Sequence, residues 1–156
     1  MENNINEYKY LFNNEEKRTE IIKEFEQNLS VYIQETERIW DETKTIDKGS
    51  TKFNEYSQNV LQKLQKLNDE LRKMSELKSE NFKKDVNFLL GLEKENYKTT
   101  LTIYMNKLRC IELLKNDEDD YKLLQKEKEI AEMKQNLSSI REEINDFVTN
   151  LKYKYL

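Results

Sequence analysis

The chain has no histidine and no proline, two glycines and a single cysteine among its 156 residues. Without histidine there is no Ser-His or Cys-His nucleophile pair, no HExxH zinc helix and no ExxH di-iron motif. Gly49 and Gly91 stand far apart, so no glycine-rich phosphate loop exists. Cys110 alone closes no internal disulfide, which fits a reducing compartment. Proline and glycine are the usual breakers of regular backbone, and their scarcity predicts long uninterrupted elements. A sheet protein needs turn signals roughly every ten residues, and none is visible.

Long apolar runs are missing as well. No window approaches the roughly 18 consecutive apolar residues of a spanning helix. The N-terminal MENNINEYKY lacks the basic start and apolar stretch of a signal peptide. The expectation is a soluble intracellular protein, nuclear or cytoplasmic, with no membrane contact. Charge of one sign is also lacking: 27 basic and 31 acidic residues give a net charge of -4, with both signs mixed along every segment. Proteins that hold DNA through its phosphates draw their affinity from a basic stripe or domain. Direct nucleic-acid binding is therefore disfavoured.

Charged residues make up 37% of the chain, a content that often accompanies disorder, but nine Tyr, six Phe and one Trp are present and the apolar residues recur periodically. In the first segment Ile5, Tyr8, Phe12, Ile22, Phe25, Leu29, Tyr32, Ile33, Thr36, Ile39 and Trp40 follow three-and-four steps, with a polar gap over Asn13 to Thr19. This reads as one long helix or two nearly collinear ones, spanning about 5–40. Residues 41–51 have little periodicity and contain Gly49 and Ser50, which reads as the clearest boundary. Phe53, Val60, Leu67 and Met74, interleaved with Leu64 and Leu71, form a heptad stripe over about 52–77. The phase is lost near Leu77, and Ser79 is placed to cap a new helix over about 80–114. That helix carries Phe82, Val86, Leu89, Leu90, Tyr97, Leu101, Tyr104, Leu108, Ile111 and Leu114, with Gly91 inside it at a cost of ~1 kcal/mol relative to Ala. KNDEDD reads as a turn with Asp117 as cap, followed by a helix over about 118–154 bearing Leu123, Ile130, Met133, Leu137, Ile140, Ile144, Phe147 and Leu151.

Amphipathic helices joined by short connections return alongside one another. The predicted fold is all-α: one domain, 1–156, forming an elongated antiparallel bundle of three to four long amphipathic helices with coiled-coil-like heptad packing. Two chains could share such a stripe, so a homo-oligomer stays open beside the monomeric bundle.

No catalytic residue, cofactor or metal site is expected. The acidic run at Asp117 to Asp120 lacks the spaced ligands and central glycine of a calcium loop and reads as a capping turn. Cys110 reads as a small residue near the stripe, with activation by the adjacent Arg109 as the alternative. Trp40 reads as core, or as a hot spot for a partner. In the closing NLKYKYL, Lys152, Lys154, Tyr153 and Tyr155 read as a helix end with cations at its negative pole. The alternative is a partner contact, and the candidate partner-binding set is Trp40, Lys152, Tyr153 and Tyr155.

Three stretches resemble the required-for-excision 1-B domain family of DNA-repair proteins. FNEYSQNVLQKLQKLNDEL resembles the family's helix opening on an aromatic-x-x-Tyr element, here Phe53 and Tyr56. LLGLEKENYKTTLTIYMNKLR resembles its Leu-x-x-Leu-Glu-x-Glu run, here Leu89, Leu92, Glu93 and Glu95, with Thr100 beyond. EIAEMKQNLSSIREEINDFVTNLKY resembles its closing element, here Ile144, Asn145, Leu151, Lys152 and Tyr153. The chain departs from the family in the proline-free DKGST before the second helix. The resemblance implies nucleotide excision repair as a pathway without implying a reaction. The expected function is a non-catalytic adaptor contacting repair or transcription proteins; the alternative is a structural coiled-coil subunit of a cytoskeletal, trafficking or tethering complex. The charge pattern predicts no retention on duplex or single-stranded DNA near physiological salt, and salt-sensitive retention on a DNA column would refute it.

Overall fold

A computed structural model describes residues 2–43, 47–115 and 120–156, with side chains over 6–38, 52–115 and 120–156. Four α-helices account for them: α1 (Glu2–Thr43), α2 (Asp47–Ser75), α3 (Glu80–Lys115) and α4 (Asp120–Tyr155). No strand occurs among the described residues. At 1.5 Å rise per residue, α3 and α4 are each about 54 Å long.

The polar stretch within 13–19 does not interrupt α1, which is one continuous helix. The expected irregular segment over 41–51 is corrected by the structure. α1 runs on to Thr43 and α2 already begins at Asp47, placing Gly49 in its first turn. Backbone N–H groups of a first turn have no intrahelical acceptor, so a glycine there forfeits less than one in a helix interior. Asp117, the expected cap of the last helix, lies outside the described residues. Ser79 acts as expected, its Oγ accepting from the Phe82 N–H at 3.3 Å at the start of α3.

Contacts along the helices set the topology. Asn14 meets Leu67 while Tyr32 meets Tyr56, so α1 and α2 are antiparallel. Tyr8 meets Phe82 while Phe25 meets Tyr97, so α1 and α3 run in the same direction. Phe88 meets Phe147 and Asn106 meets Met133, making α4 antiparallel to α3. Among the described residues α2 and α4 do not approach each other, whereas α1 and α3 do. The bundle is therefore a rhombus, with α1 and α3 across its short diagonal and α2 and α4 on opposite flanks.

Three apolar clusters fill this frame. Where α1 begins, all four helices contribute: Tyr8, Leu11 and Phe12 pack with Leu71, Phe82, Val86, Leu89, Ile144 and Leu151. Farther along, Ile22, Phe25, Leu29 and Tyr32 pack with Phe53, Val60, Leu64 and Tyr104, joining α1, α2 and α3. A separate cluster of Ile103, Ile130 and Leu137 joins α3 to α4 alone. Removing such side chains from water is the main favourable contribution, at about 25 cal/mol per Å² of apolar surface. Leu114 departs from its expected place on the third stripe: it is 54% exposed, and Leu113 is buried instead.

Gly91 lies in the interior of α3, and a Cβ built there meets nothing within 4 Å. Gly91→Ala should therefore raise stability by about 1 kcal/mol through lost unfolded-state freedom, measured by urea denaturation. A destabilised variant would contradict this reading of the helix surface.

Candidate functional site

The polar residues of the α1 gap are buried. Leu11, Glu15, Arg18, Ile22, Phe25, Leu29, Tyr32 and Thr36 follow alternating steps of four and three, so Glu15 and Arg18 occupy inward positions of the apolar stripe. The same spacing in α3 takes Phe82, Val86 and Leu89 on to Glu93, Asn96 and Thr100, all buried. In α4 it places Arg141 between Leu137 and Ile144. Three helices thus bring polar side chains to one level, between the four-helix cluster and the two clusters beyond it.

Arg18 is the centre of this layer and is only 1% exposed. Its Nη1 donates to Glu15 Oε2 at 2.7 Å, and its Nη2 donates to Asn14 Oδ1 at 2.7 Å and to Asn68 Oδ1 at 2.8 Å. Asn14 in turn donates from Nδ2 to the Leu67 carbonyl at 2.9 Å, tying α1 to α2. Arg18 Nε has no protein acceptor. On the α4 side, Arg141 Nε donates to Asn96 Oδ1 at 3.0 Å, and its Nη2 donates to Glu26 Oε1 at 2.7 Å and to Thr100 Oγ1 at 3.2 Å. That side chain bridges α4 to both α3 and α1.

Beside Arg141 lies a cavity of about 620 Å³, open to solvent between α1 and α4. Phe12, Ile22, Ile144 and Val148 supply its apolar wall, and Glu15, Glu93 and Asn96 its polar floor. Glu16, Glu20, Lys23, Asn145 and Lys152 also line it. Its volume falls in the range of ordinary ligand pockets. Glu15 and Glu93 are each 6% exposed and interact across α1 and α3. Burial pushes the Glu15 carboxyl up to about 9, the neighbouring Glu93 charge adds to the rise, and Arg18 opposes both. Near neutral pH the Glu15 carboxyl therefore keeps its proton.

The sequence-predicted residues are scattered. Lys152 lines the cavity, its Nζ 5.6 Å from the Phe12 ring centroid. Tyr155 stacks on Tyr8 at 3.7 Å between ring centroids, with 6° between planes, and so is spent inside the bundle. Tyr8 also donates to Asp85, and burial followed by that bond raises its phenol pKa. Tyr153 is 93% exposed and joins neither group. The Trp40 side chain lies outside the described residues. Cys110 packs at the margin of the α3–α4 cluster, and burial pushes its thiol up, away from the thiolate that reactivity needs. Arg109 donates instead to Glu112 at 2.8 Å.

Sequence reasoning missed Glu15, Arg18, Glu93, Asn96 and Arg141. The available signal was their phase, since each continues an apolar stripe without a break. No family model, curated protein or solved structure matches the chain, so the resemblance to the excision-repair family rests on the quoted residues alone.

The Glu15 proton gives stability a pH dependence whose sign follows from linkage. The native carboxyl keeps its proton up to about 9, while the unfolded one loses it near 4.5. This group's contribution is thus complete below the unfolded value and declines as pH rises toward the folded one. Glu15→Gln should flatten that decline in urea denaturation between about pH 5 and pH 9. An unchanged slope in the variant would show that another group carries it.

Proposed function

We propose that the chain is a non-catalytic helical adaptor that holds a partner protein in the cleft between α1 and α4. The observation that carries this reading is the contrast between spent and open surface. The apolar stripes of α1, α2 and α3 close on one another within the chain, while the α1–α4 side keeps a 620 Å³ cleft with an apolar wall and a charged rim. A fixed frame bordering an open cleft is the arrangement of a binding module. Polar groups of the same layer hold helices together: Arg18 with Asn68 of α2, and Arg141 with Glu26 of α1. Excision repair enters as the pathway through the resemblance alone.

The same contrast favours the adaptor over a structural coiled-coil subunit. A shared coiled coil leaves an apolar stripe for a second chain, whereas Leu64, Leu67 and Leu71 of α2 are already buried against their own neighbours.

Affinity capture from ultraviolet-damaged and undamaged cells tests the reading, with the rim reversal Glu16→Lys/Glu20→Lys as control. Repair proteins should co-purify with the parent chain and be depleted from the variant. Failure to enrich any repair protein, together with unaltered ultraviolet sensitivity on deletion, would refute the role.

A further inference from the structure

The cleft is acidic, and one of its acids lacks a counter-ion. Of the five glutamates lining it, Glu15 keeps its proton and accepts from Arg18, and Glu26 is ion-paired with Arg141. Glu16 and Glu20 lie on the rim, where Lys23 and Lys152 can balance them through water. Glu93 is different. It is almost wholly buried, forms part of the cavity floor, and among the described residues has no cation within salt-bridge distance. Among the described residues its one side-chain N–H donor is Asn96 Nδ2 at 3.4 Å. A buried carboxylate so poorly supplied is costly. The proton that Glu15 keeps limits that cost.

We infer that the floor of the α1–α4 cleft is a receptor for a primary alkylammonium group, supplied by a lysine side chain of the partner protein. An ammonium carries three donors on a compact head, enough to reach both carboxyls, and its four-carbon stem matches the wall of Phe12, Ile22, Ile144 and Val148. Entry is a cation exchange with no covalent step: the ammonium comes in with its positive charge, Glu15 releases its proton to solvent, and the net charge of the site is unchanged. A metal ion is the weaker candidate for the same place, because among the described residues no three ligating side chains are grouped to hold one. An anion is disfavoured by the two buried acids on the floor. The rim acids Glu16 and Glu20 extend the same preference to neighbouring basic residues of the partner. This inference rests on the partner-binding role proposed for the cleft, but its chemistry is testable without any partner.

The full chain is titrated at pH 7 with N-acetyl-lysine methylamide and with N-acetyl-norleucine methylamide, which keeps the stem and lacks the ammonium. Calorimetry in two buffers of different ionisation enthalpy counts the protons released, and backbone amide shifts locate the site. Saturable binding of the lysine compound, centred on residues 15, 93 and 96, is expected, with about one proton released and no matching response to norleucine. The proton count should fall to about one half near pH 9 and vanish above it, a readout that needs no variant. Glu93→Gln should weaken lysine binding about tenfold or more through loss of a charge-assisted bond. Equal binding of the two compounds, or binding of neither, overturns the ammonium site. Binding of 1,5-diaminopentane without binding of the capped lysine overturns the lysine source and points to a free amine. If the lysine compound binds as described while repair proteins fail to co-purify, the pathway falls and the receptor chemistry stands.

Discussion

A guanidinium that cannot shed its proton is buried in the bundle, and the arrangement around it follows from that constraint. Arg18 keeps its charge at any ordinary pH, so moving it out of water is tolerable only with acceptors on several sides. Glu15 and Asn14 supply them from its own helix and Asn68 supplies one from α2. Asn14 cannot turn away, because its amide nitrogen is held by the Leu67 carbonyl. Sliding α2 by one heptad along α1 would leave the apolar stripes nearly as well matched, but it would remove Asn68 and the Leu67 carbonyl from reach. Apolar packing supplies most of the stabilisation, whereas this polar cluster fixes the register of α2 on α1.

The cleft is a consequence of the same layer. Branched apolar side chains on facing stripes interdigitate to nearly crystalline density, but charged side chains that must keep particular partners do not. At the level of Glu15, Glu93 and Arg141, α4 is joined to α1 by the Glu26 ion pair and lies beside open volume. Nearer the start of α1, Ile144 and Leu151 bring α4 back into a common core, and the Tyr155 ring lies flat on Tyr8. Beyond the layer α4 packs on α3 alone through Ile130 and Leu137. One flank is thus closed at one end and separated at the other, with the protonated Glu15 carboxyl at the transition.

Period and punctuation made most of the architecture legible. The absence of proline and the three-and-four stripes gave four helices, and Ser79 marked the start of α3 because a hydroxyl there satisfies an otherwise free N–H. The misreadings share a cause. Treating Asn14, Glu15 and Arg18 as a gap judged each residue by its polarity, although their phase put them on the inward face. Leu114 follows Ile111 by three and so falls on the expected stripe, although its neighbour Leu113 is the one turned inward. Gly49 marks a boundary by its residue type, although a glycine in a first turn breaks no intrahelical bond. Lys152 was picked for its charge beside Tyr153 and Tyr155, yet the three side chains meet a cavity, solvent and a core ring respectively.

By itself the sequence determined the all-helical class, the approximate helix limits and the inward face of each helix, because these depend on interactions between residues three and four apart. Tertiary structure decided which polar residues on those faces would meet. Glu15 and Glu93 are separated by most of two helices in the chain, and only the parallel course of α1 and α3 sets their carboxyls side by side. That juxtaposition, and the raised pKa that burial and proximity give it, depends on distances through space that no periodicity along one helix encodes.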